Sequence, residues 1–307
     1  MFLSLVIPSY NKAKQLPRLL DSIINSCKFD NSIEVIICDD CSTDDTTEIV
    51  KVYLEKYINV KYILAEKNGG VHHVRNLGMK SAKGEYIAFI DGDDYLNSEG
   101  LEKTINCIKN NLQYDMLFLP YITSDTKEKT GYTKSGEISF IELFDNNIFL
   151  NNKNCLGIIR KELIDANNIS WYYTNLDSLF WRECEYYAKK IFVCDDVVGV
   201  YDKSTEDSLS KKRQDINHVV KHADTKIEKT LLFMERMEEF FIQNKSIACD
   251  YIYSLLYELS YSKNYKYNYQ EIKKYTQKYN CNNVFKKLLI ARIKAKIKKI
   301  IQGKLNG

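Results

Sequence analysis

The chain has 307 residues, 45% hydrophobic and 28% charged, an ordinary globular balance that excludes dominant disorder. Only three prolines are present, so long Pro-rich linkers are excluded, and no stretch reaches the roughly 18 apolar residues of a spanning helix. The net charge of +3 hides an asymmetry: residues 271–307 hold 11 Lys/Arg against one acid, a net of +10, leaving −7 on the rest. A basic segment on an acidic body points to an anionic surface partner. The opening MFLSLVIPSYNK has no basic leader, and its apolar run stops at Pro8. A reduced, cytoplasmic chain is therefore expected, with nine irregularly spaced cysteines as free, mostly buried thiols.

In chain order, FLSLVIP is an apolar run suited to a strand buried on both faces. Leu16, Leu19, Leu20, Ile23 and Ile24 follow at helical spacing. IEVIICD is a second strand, and Ser42-Thr43-Asp44 offers a helix N-cap before Ile49, Val50, Tyr53 and Leu54. VKYILAE is a third strand. Asn68-Gly69-Gly70 breaks the chain ahead of a helix over about 71–81. GEYIAFID and DMLFLPYI are the fourth and fifth strands. This alternation predicts an α/β fold with a mostly parallel central sheet flanked by helices. Over 122–205 the pattern is mixed. KTGYTKSGE suits a hairpin, FIELFDN, RKELIDANN and DSLFWRECEYYAKK suit helices, and IFVCDDVVGVYD suits one or two strands. From about 214 everything reads as helix. There Tyr253, Tyr257 and Tyr261 fall at i, i+4, i+8, a stripe expected to face a neighbouring helix.

Ligands of open parallel sheets sit at the carboxyl ends of the strands. Pro8-Ser9-Tyr10, Asp39-Asp40 and Asp91-Gly92-Asp93-Asp94 all fall at such ends. Gly92 lets the carboxylates of Asp91 and Asp93 point to one spot, and paired hard oxygens suit Mg2+ or Mn2+. Taken alone, DGDD is equally a solvated acidic turn. A calcium EF-hand does not fit, because Tyr95 and Leu96 stand where that loop needs an oxygen ligand and glycine. Cys38 and Cys41 have the spacing of a redox dithiol. However, two carboxylates separate them and disfavour a thiolate, so Cys38 is expected in the core and Cys41 in a turn.

IPSYN, ICDDCSTDDT, NGGVHHVRNLG and GEYIAFIDGDD, in that order and spacing, resemble the family-2 inverting glycosyltransferases of the GT-A fold, closely over roughly the first 100 residues and loosely over about 200. The resemblance implies a catalytic domain over 1–210, with a nucleotide-binding half 1–120 and an acceptor half 121–210, followed by an all-helical region 211–307. It also implies roles residue by residue. Pro8 and Tyr10 hold the nucleotide. Asp40 accepts the N3 hydrogen of a uracil base, with Asp39 shaping the turn. Arg75 and Asn76 lie near base and phosphate. Asp91 lies near the ribose, and Asp93 coordinates a divalent metal, Mn2+ or Mg2+, on the diphosphate. The catalytic base matches Asp177, although Leu176 stands where the family often has Glu. Asp177 also suits a plain helix N-cap.

The activity so implied is metal-dependent transfer of a hexosyl or N-acetylhexosaminyl group. The donor is a nucleotide sugar, UDP-linked by the base assignment. The acceptor is a glycan or lipid-linked glycan in cell-surface polysaccharide biosynthesis. The alternative is a sugar-nucleotide-binding or nucleotidyltransferase-type protein without glycosyl transfer. The Gly-rich loop that nucleotidyltransferases carry after strand one is missing here. Trp171 and Tyr172 suit an acceptor-sugar platform or core packing equally. Asp195 and Asp196 suit a turn, His72 and His73 are not expected to bind metal, and Lys203, Ser204 and Ser208 fall where the family often carries a loop over the diphosphate. In VFKKLLIARIKAKIKKIIQ, aliphatic residues gather opposite Lys287, Lys294 and Lys298. That pattern suits an in-plane helix on the anionic cytoplasmic membrane face, or a helix docked on its own domain. Nucleic acid is not an expected partner.

Overall fold

The computed structural model describes residues 1–26, 29–144, 154–172, 177–204, 216–281, 283, 284, 286 and 290. The chain divides into two compact units, one of Met1–Trp171 with Phe180–Glu206, the other of Tyr172–Leu179 with Asp207–Gly307.

The first unit is built on one sheet. Its strands are β1 (Leu3–Ser9), β2 (Ile33–Asp39), β3 (Val60–Leu64), β4 (Tyr86–Phe89), β5 (Tyr95–Leu96), β6 (Met116–Thr123), β7 (Gly136–Ile138), β8 (Cys155–Arg160), β9 (Ile191–Val193) and β10 (Gly199–Tyr201). The order is β3-β2-β1-β4-β8-β6-β10-β5, with β9 beside β6 and β7 beside β9. Neighbours among β3, β2, β1 and β4 run parallel. β8 enters antiparallel between β4 and β6. β9 and β10 run parallel to β6, while β5 and β7 are antiparallel edges.

Every residue of β1 and β2 is buried, as their unbroken apolar runs require of strands covered on both faces. The helix α1 (Leu16–Ile24) buries Leu16, Leu19, Leu20, Ile23 and Ile24. The helices α2 (Thr46–Lys56) and α3 (Val71–Ser81) follow β2 and β3, and α4 (Gly100–Asn110) follows β5. α3 lies tight on the sheet at Gly78, where a Cβ would fall 2.4 Å from Val6 Cγ1 and 2.7 Å from Cys38 Sγ. That close approach fixes the height of Arg75 and Asn76, one turn earlier on the same helix.

Several expectations change. The strand CLGIIR (β8), absent from the expected elements, runs without a break into the helix α5 (Lys161–Ala166), so no turn residue separates its apolar run from RKELIDANN. KTGYTKSGE is no hairpin: Lys129 bridges Ile122 and β7 pairs with β9, because the sheet edge offers open backbone groups. Within FIELFDN, Glu142–Phe144 forms a single 3-10 turn, and the remainder lies outside the described residues. Not all cysteines are free thiols: Cys107 bonds to Cys194 and Cys249 to Cys281, with sequence separations of 87 and 32 residues that spacing alone does not link. Cys38 and Cys155 are free, and burial pushes each thiol up to about 12.

The second unit contains the helices Ile216–Arg236, Glu238–Gln243, Lys245–Leu259 and Tyr265–Lys278. Phe233, Phe241 and Tyr279 are fully buried there. Asp224 ties two of its helices by accepting hydrogen bonds from Ser262 Oγ at 2.5 Å and Asn268 Nδ2 at 2.7 Å. The tyrosine stripe is not a buried seam: Tyr253 is 48% and Tyr257 56% exposed. Ala248, Ile252, Leu255 and Leu259 take the buried face of that helix instead, because wholly apolar side chains lose nothing on desolvation while a phenol must find a partner. Among the described residues no helix is long and apolar enough to cross a membrane. The basic stretch 284–302 lies almost wholly outside the described residues.

A buried charge lies near the amino ends of the parallel strands. Glu34 in β2 is fully buried and accepts hydrogen bonds from Ser4 Oγ at 2.6 Å, Lys83 N at 2.6 Å and Lys61 Nζ at 2.5 Å. Burial alone would raise its pKa, but Lys61, Ser4 and the Lys83 amide outweigh that and hold it below the usual 4.5. Its stabilisation is therefore present above the unfolded-state pKa and is lost as pH falls through the lowered folded value. Glu34→Ala is expected to cost about 3–5 kcal/mol in urea unfolding and to flatten the acid limb of stability against pH.

Candidate active site

The carboxyl ends of β1, β2 and β4 and the helix α3 meet in one place. After β1 the chain turns through Asn11 in a left-handed conformation (φ 52°). This loop is fastened to the loop after β2. Asn11 N donates to Ser42 Oγ at 2.8 Å, Lys12 N to Thr46 Oγ1 at 3.0 Å, and Ala13 N to Asp44 Oδ2 at 3.1 Å. Burial would raise Asp44, but bonds from Thr46 and Ala13 keep it below the usual carboxylate range. Asp44 is thus a clasp just ahead of α2. Pro8 sits in register with Cys38 of β2, and Tyr10 stands 46% exposed at the tip.

The two aspartates after β2 differ in kind. Asp39 is fully buried; Oδ1 accepts from Ser42 N at 2.8 Å and Ser42 Oγ at 2.6 Å, and Oδ2 from Tyr62 OH at 2.5 Å. It shapes the turn. Asp40, 3% exposed, accepts from Gly69 N on one oxygen and Gly70 N on the other, both at 2.7 Å. It thereby holds the Asn68-Gly69-Gly70 loop against the end of β2. Each carboxylate oxygen retains a second lone pair for a ligand donor. Cys41 donates to Ala65 O at 3.1 Å, so the two cysteines of the CxxC serve turn and core, as their acidic neighbours imply.

The acidic turn after β4 is a network of charges. Arg75 Nη2 donates to Asp91 Oδ1 at 2.6 Å, with the guanidinium buried on one side over the Trp171 ring at 4.5 Å. Lys12 Nζ donates to Asp93 Oδ2 at 2.7 Å. Gly92 between them packs closely on the end of β1: a Cβ there would come 3.1 Å from Pro8 O, a tight contact. Arg18 Nη2 donates to Asp93 O at 2.9 Å and to Asp202 Oδ2 at 2.6 Å. Burial raises Asp202, yet the Ser204 bonds and Arg18 outweigh it and bring it to about 2. Asp94 behaves oppositely: burial first, then the charges of Asp91 and Asp93, push it well above the usual range. It accepts a 3.0 Å bond from Asp202 N.

Asn76 holds the main chain of Trp171, accepting from its N at 2.8 Å and donating to its O at 3.3 Å. Trp171 itself is 4% exposed and stacks on Phe180 at 3.7 Å, so of its two readings packing is the one found. His72 is buried beside Trp171 at 5.6 Å. Asp195 is exposed and pairs with Lys129 at 3.2 Å in the turn between β9 and β10. Lys203 pairs with Asp125 at 3.4 Å, and Ser208 lies outside the described residues. Asp177 is the first residue of α6 (Asp177–Tyr187), in a turn that belongs to the second unit.

Among the described residues no three His, Cys, Asp or Glu side chains gather as a metal cage. The donor set of Asp91 and Asp93 nonetheless suits Mg2+ or Mn2+. Such ions keep several waters and need one or two carboxylates beside substrate phosphates. The ammonium of Lys12 lying on Asp93 marks that carboxylate as a seat for a cation. Sequence reasoning missed Lys12, Arg18 and Asp202. The only signal for Lys12 was its place directly after IPSYN, and nothing local links Arg18 to a partner 184 residues away.

A sequence profile described as glycosyl transferase family 2 matches residues 4–165. Over 103 residues the chain is 41% identical to the poly(ribitol-phosphate) beta-N-acetylglucosaminyltransferase TarS of Staphylococcus aureus, covering 33% of this chain and 18% of TarS. Over 112 residues it is 43% identical to a poly(ribitol-phosphate) beta-glucosyltransferase of Bacillus spizizenii, covering 36% and 18% of the two chains. The matched stretch is thus under a fifth of either relative. A crystal structure of TarS residues 1–349 in complex with UDP-GlcNAc aligns over 90% of this chain and 89% of that one, with a TM-score of 0.60 at 22% identity. That likeness speaks for the fold alone, and the fold is GT-A-like, as the motif order implied.

Asp40→Ala strands two loop amides. It is expected to cost about 2–4 kcal/mol of stability and to speed hydrogen exchange at Gly69 and Gly70 selectively, read by urea melts and exchange mass spectrometry.

Proposed function

The chain belongs to glycosyl transferase family 2, and on that footing we propose that it is an inverting, divalent-metal-dependent glycosyltransferase that uses a UDP-sugar. The transferred sugar is N-acetylglucosamine or glucose, following the names of the relatives. The acceptor is a cell-surface glycan, lipid-linked glycan or polyol-phosphate polymer. The observation that carries this reading is the pair of short contacts Arg75–Asp91 and Lys12–Asp93, at 2.6 and 2.7 Å, which join the third and fourth ordered motifs to each other and to the residue directly after the first. Catalytic work is assigned to residues 1–210, with the donor held by 1–120 and the acceptor by 121–210, and the helical remainder 211–307 carries the basic stretch.

In this reading Pro8 and Tyr10 flank the nucleotide, and Asp40 accepts the N3 hydrogen of uracil while the glycine amides keep its carboxylate fixed. Asp39 and Asn76 hold the surrounding loops, as their bonds support. Asp91, set by Arg75 with Gly92 beside it, faces the ribose, and the cations of Arg75 and Lys12 lie close enough to meet phosphate charge. A Mn2+ or Mg2+ ion, when held by Asp93, neutralises charge on the leaving diphosphate. Asp177 is assigned, from its place in the motif order, to take the acceptor hydroxyl proton on the opposite face of the sugar.

Asp93→Ala is expected to lower UDP release from the donor about 10²–10³-fold, and Asp177→Asn about 10²–10⁴-fold with UDP affinity unchanged. Full turnover in either variant would remove that residue from the mechanism. The basic stretch 284–302 is further proposed to bind the anionic cytoplasmic membrane face. Replacing Lys287, Lys294 and Lys298 by Glu should abolish co-sedimentation with anionic liposomes and leave UDP binding intact. Undiminished sedimentation would refute the membrane role.

A further inference from the structure

Both acids of Asp91-Gly92-Asp93 carry a cation supplied by the chain itself. Arg75 on Asp91 comes from a helix and is largely buried. Lys12 on Asp93 comes from a loop, and both side chains of that pair are 20% exposed. The lysine is not a wandering surface group. Its own amide and those of its two neighbours are bonded to Thr46, Ser42 and Asp44. Its stem passes close to Gly92, where a Cβ would lie 3.4 Å from Lys12 Cγ. The backbone bonds fix the root of the side chain, and the ammonium reaches the carboxylate oxygen Oδ2 of Asp93 at 2.7 Å. The reverse side of the same residue is also held, since Arg18 bonds the Asp93 carbonyl at 2.9 Å.

We propose that Lys12 is a resident counter-ion of Asp93 that a divalent cation must displace, so that metal binds well only when a diphosphate arrives to receive the released ammonium. The inference rests on the donor-site reading above and adds a coupling to it. A divalent ion and an ammonium on one carboxylate repel each other at contact distance, so each weakens the other's hold on Asp93. Once displaced from Asp93, the ammonium is a third positive charge at the acidic turn, beside Arg18 on the Asp93 carbonyl and Arg75 on Asp91. An unpaired cation there is costly. A diphosphate removes that cost by pairing with it. Metal and nucleotide then strengthen one another's binding, and by linkage they do so equally in both directions.

The test measures Mn2+ binding to the full chain from the electron paramagnetic resonance of free Mn2+, with and without UDP, for the wild type, Lys12→Met, Lys12→Arg and Asp93→Asn. Without UDP, Lys12→Met should bind Mn2+ about tenfold tighter than the wild type, and the gain in Mn2+ affinity caused by UDP should shrink by about the same factor. Lys12→Arg should keep the wild-type behaviour, because it keeps the charge. Asp93→Asn should lose the Mn2+ site. Equal Mn2+ affinity in wild type and Lys12→Met, with both chains folded by thermal melting, overturns the counter-ion role and leaves the metal assignment standing. Absence of Mn2+ binding in every chain even with UDP bound overturns the metal assignment, and the inference with it. Failure of UDP to bind overturns the donor reading instead, while the comparison without UDP still decides the competition between Lys12 and Mn2+.

Discussion

Four carboxylates, Asp91, Asp93, Asp94 and Asp202, crowd the end of the sheet, and the structure depends on how their mutual repulsion is met. Three receive a cation from another segment: Arg75 from α3, Lys12 from the loop after β1, and Arg18 from α1. The fourth, Asp94, is buried and displaced toward its neutral form. Unlike charges at contact distance in a partly dry crevice offset the cost of gathering like ones. The same arrangement draws the pieces of the site together, since each cation arrives on a different element.

The frame that makes this possible is the parallel half of the sheet. Strands β3, β2, β1 and β4 end on the same side, so loops distant in sequence become neighbours there. Gly78 lets α3 lie low on β1 and β2, and the amides of Gly69 and Gly70 are taken up by Asp40 before α3 begins. Buried Glu34 locks the opposite end of the same strands through Ser4, Lys61 and Lys83. One end of the sheet is thus fixed by a satisfied buried charge, and the other keeps its charges where a ligand can exchange with them.

Much of this was legible in the residues. Apolar runs and glycine breaks marked the first four strands and their helices: β1, β2 and β4 are buried throughout and leave no alternation to misread, while β3, only partly buried, was marked by the Asn68-Gly69-Gly70 break after it. The acid positions at strand ends marked the crevice. What stayed hidden depends on contacts of long sequence separation. β8 enters antiparallel between two strands it follows at a distance, Arg18 finds Asp202 across 184 residues, and the cysteine pairs give no local sign. The tyrosine stripe misled because helical spacing records that residues share a face and not whether that face is buried. Asp39 and Asp40 look alike in sequence, yet one is consumed by a turn and a tyrosine while the other holds a glycine loop at the crevice.

The central claim is that this crevice holds a uridine diphosphate sugar for transfer. A donor screen tests it most directly: the 307-residue chain with Mn2+ is offered UDP-N-acetylglucosamine, UDP-glucose, GDP-mannose and dTDP-glucose, and nucleotide release and binding are measured. The account predicts binding and slow hydrolysis confined to the uridine donors. A preference for the guanosine or thymidine donor, or no binding of any, would contradict it.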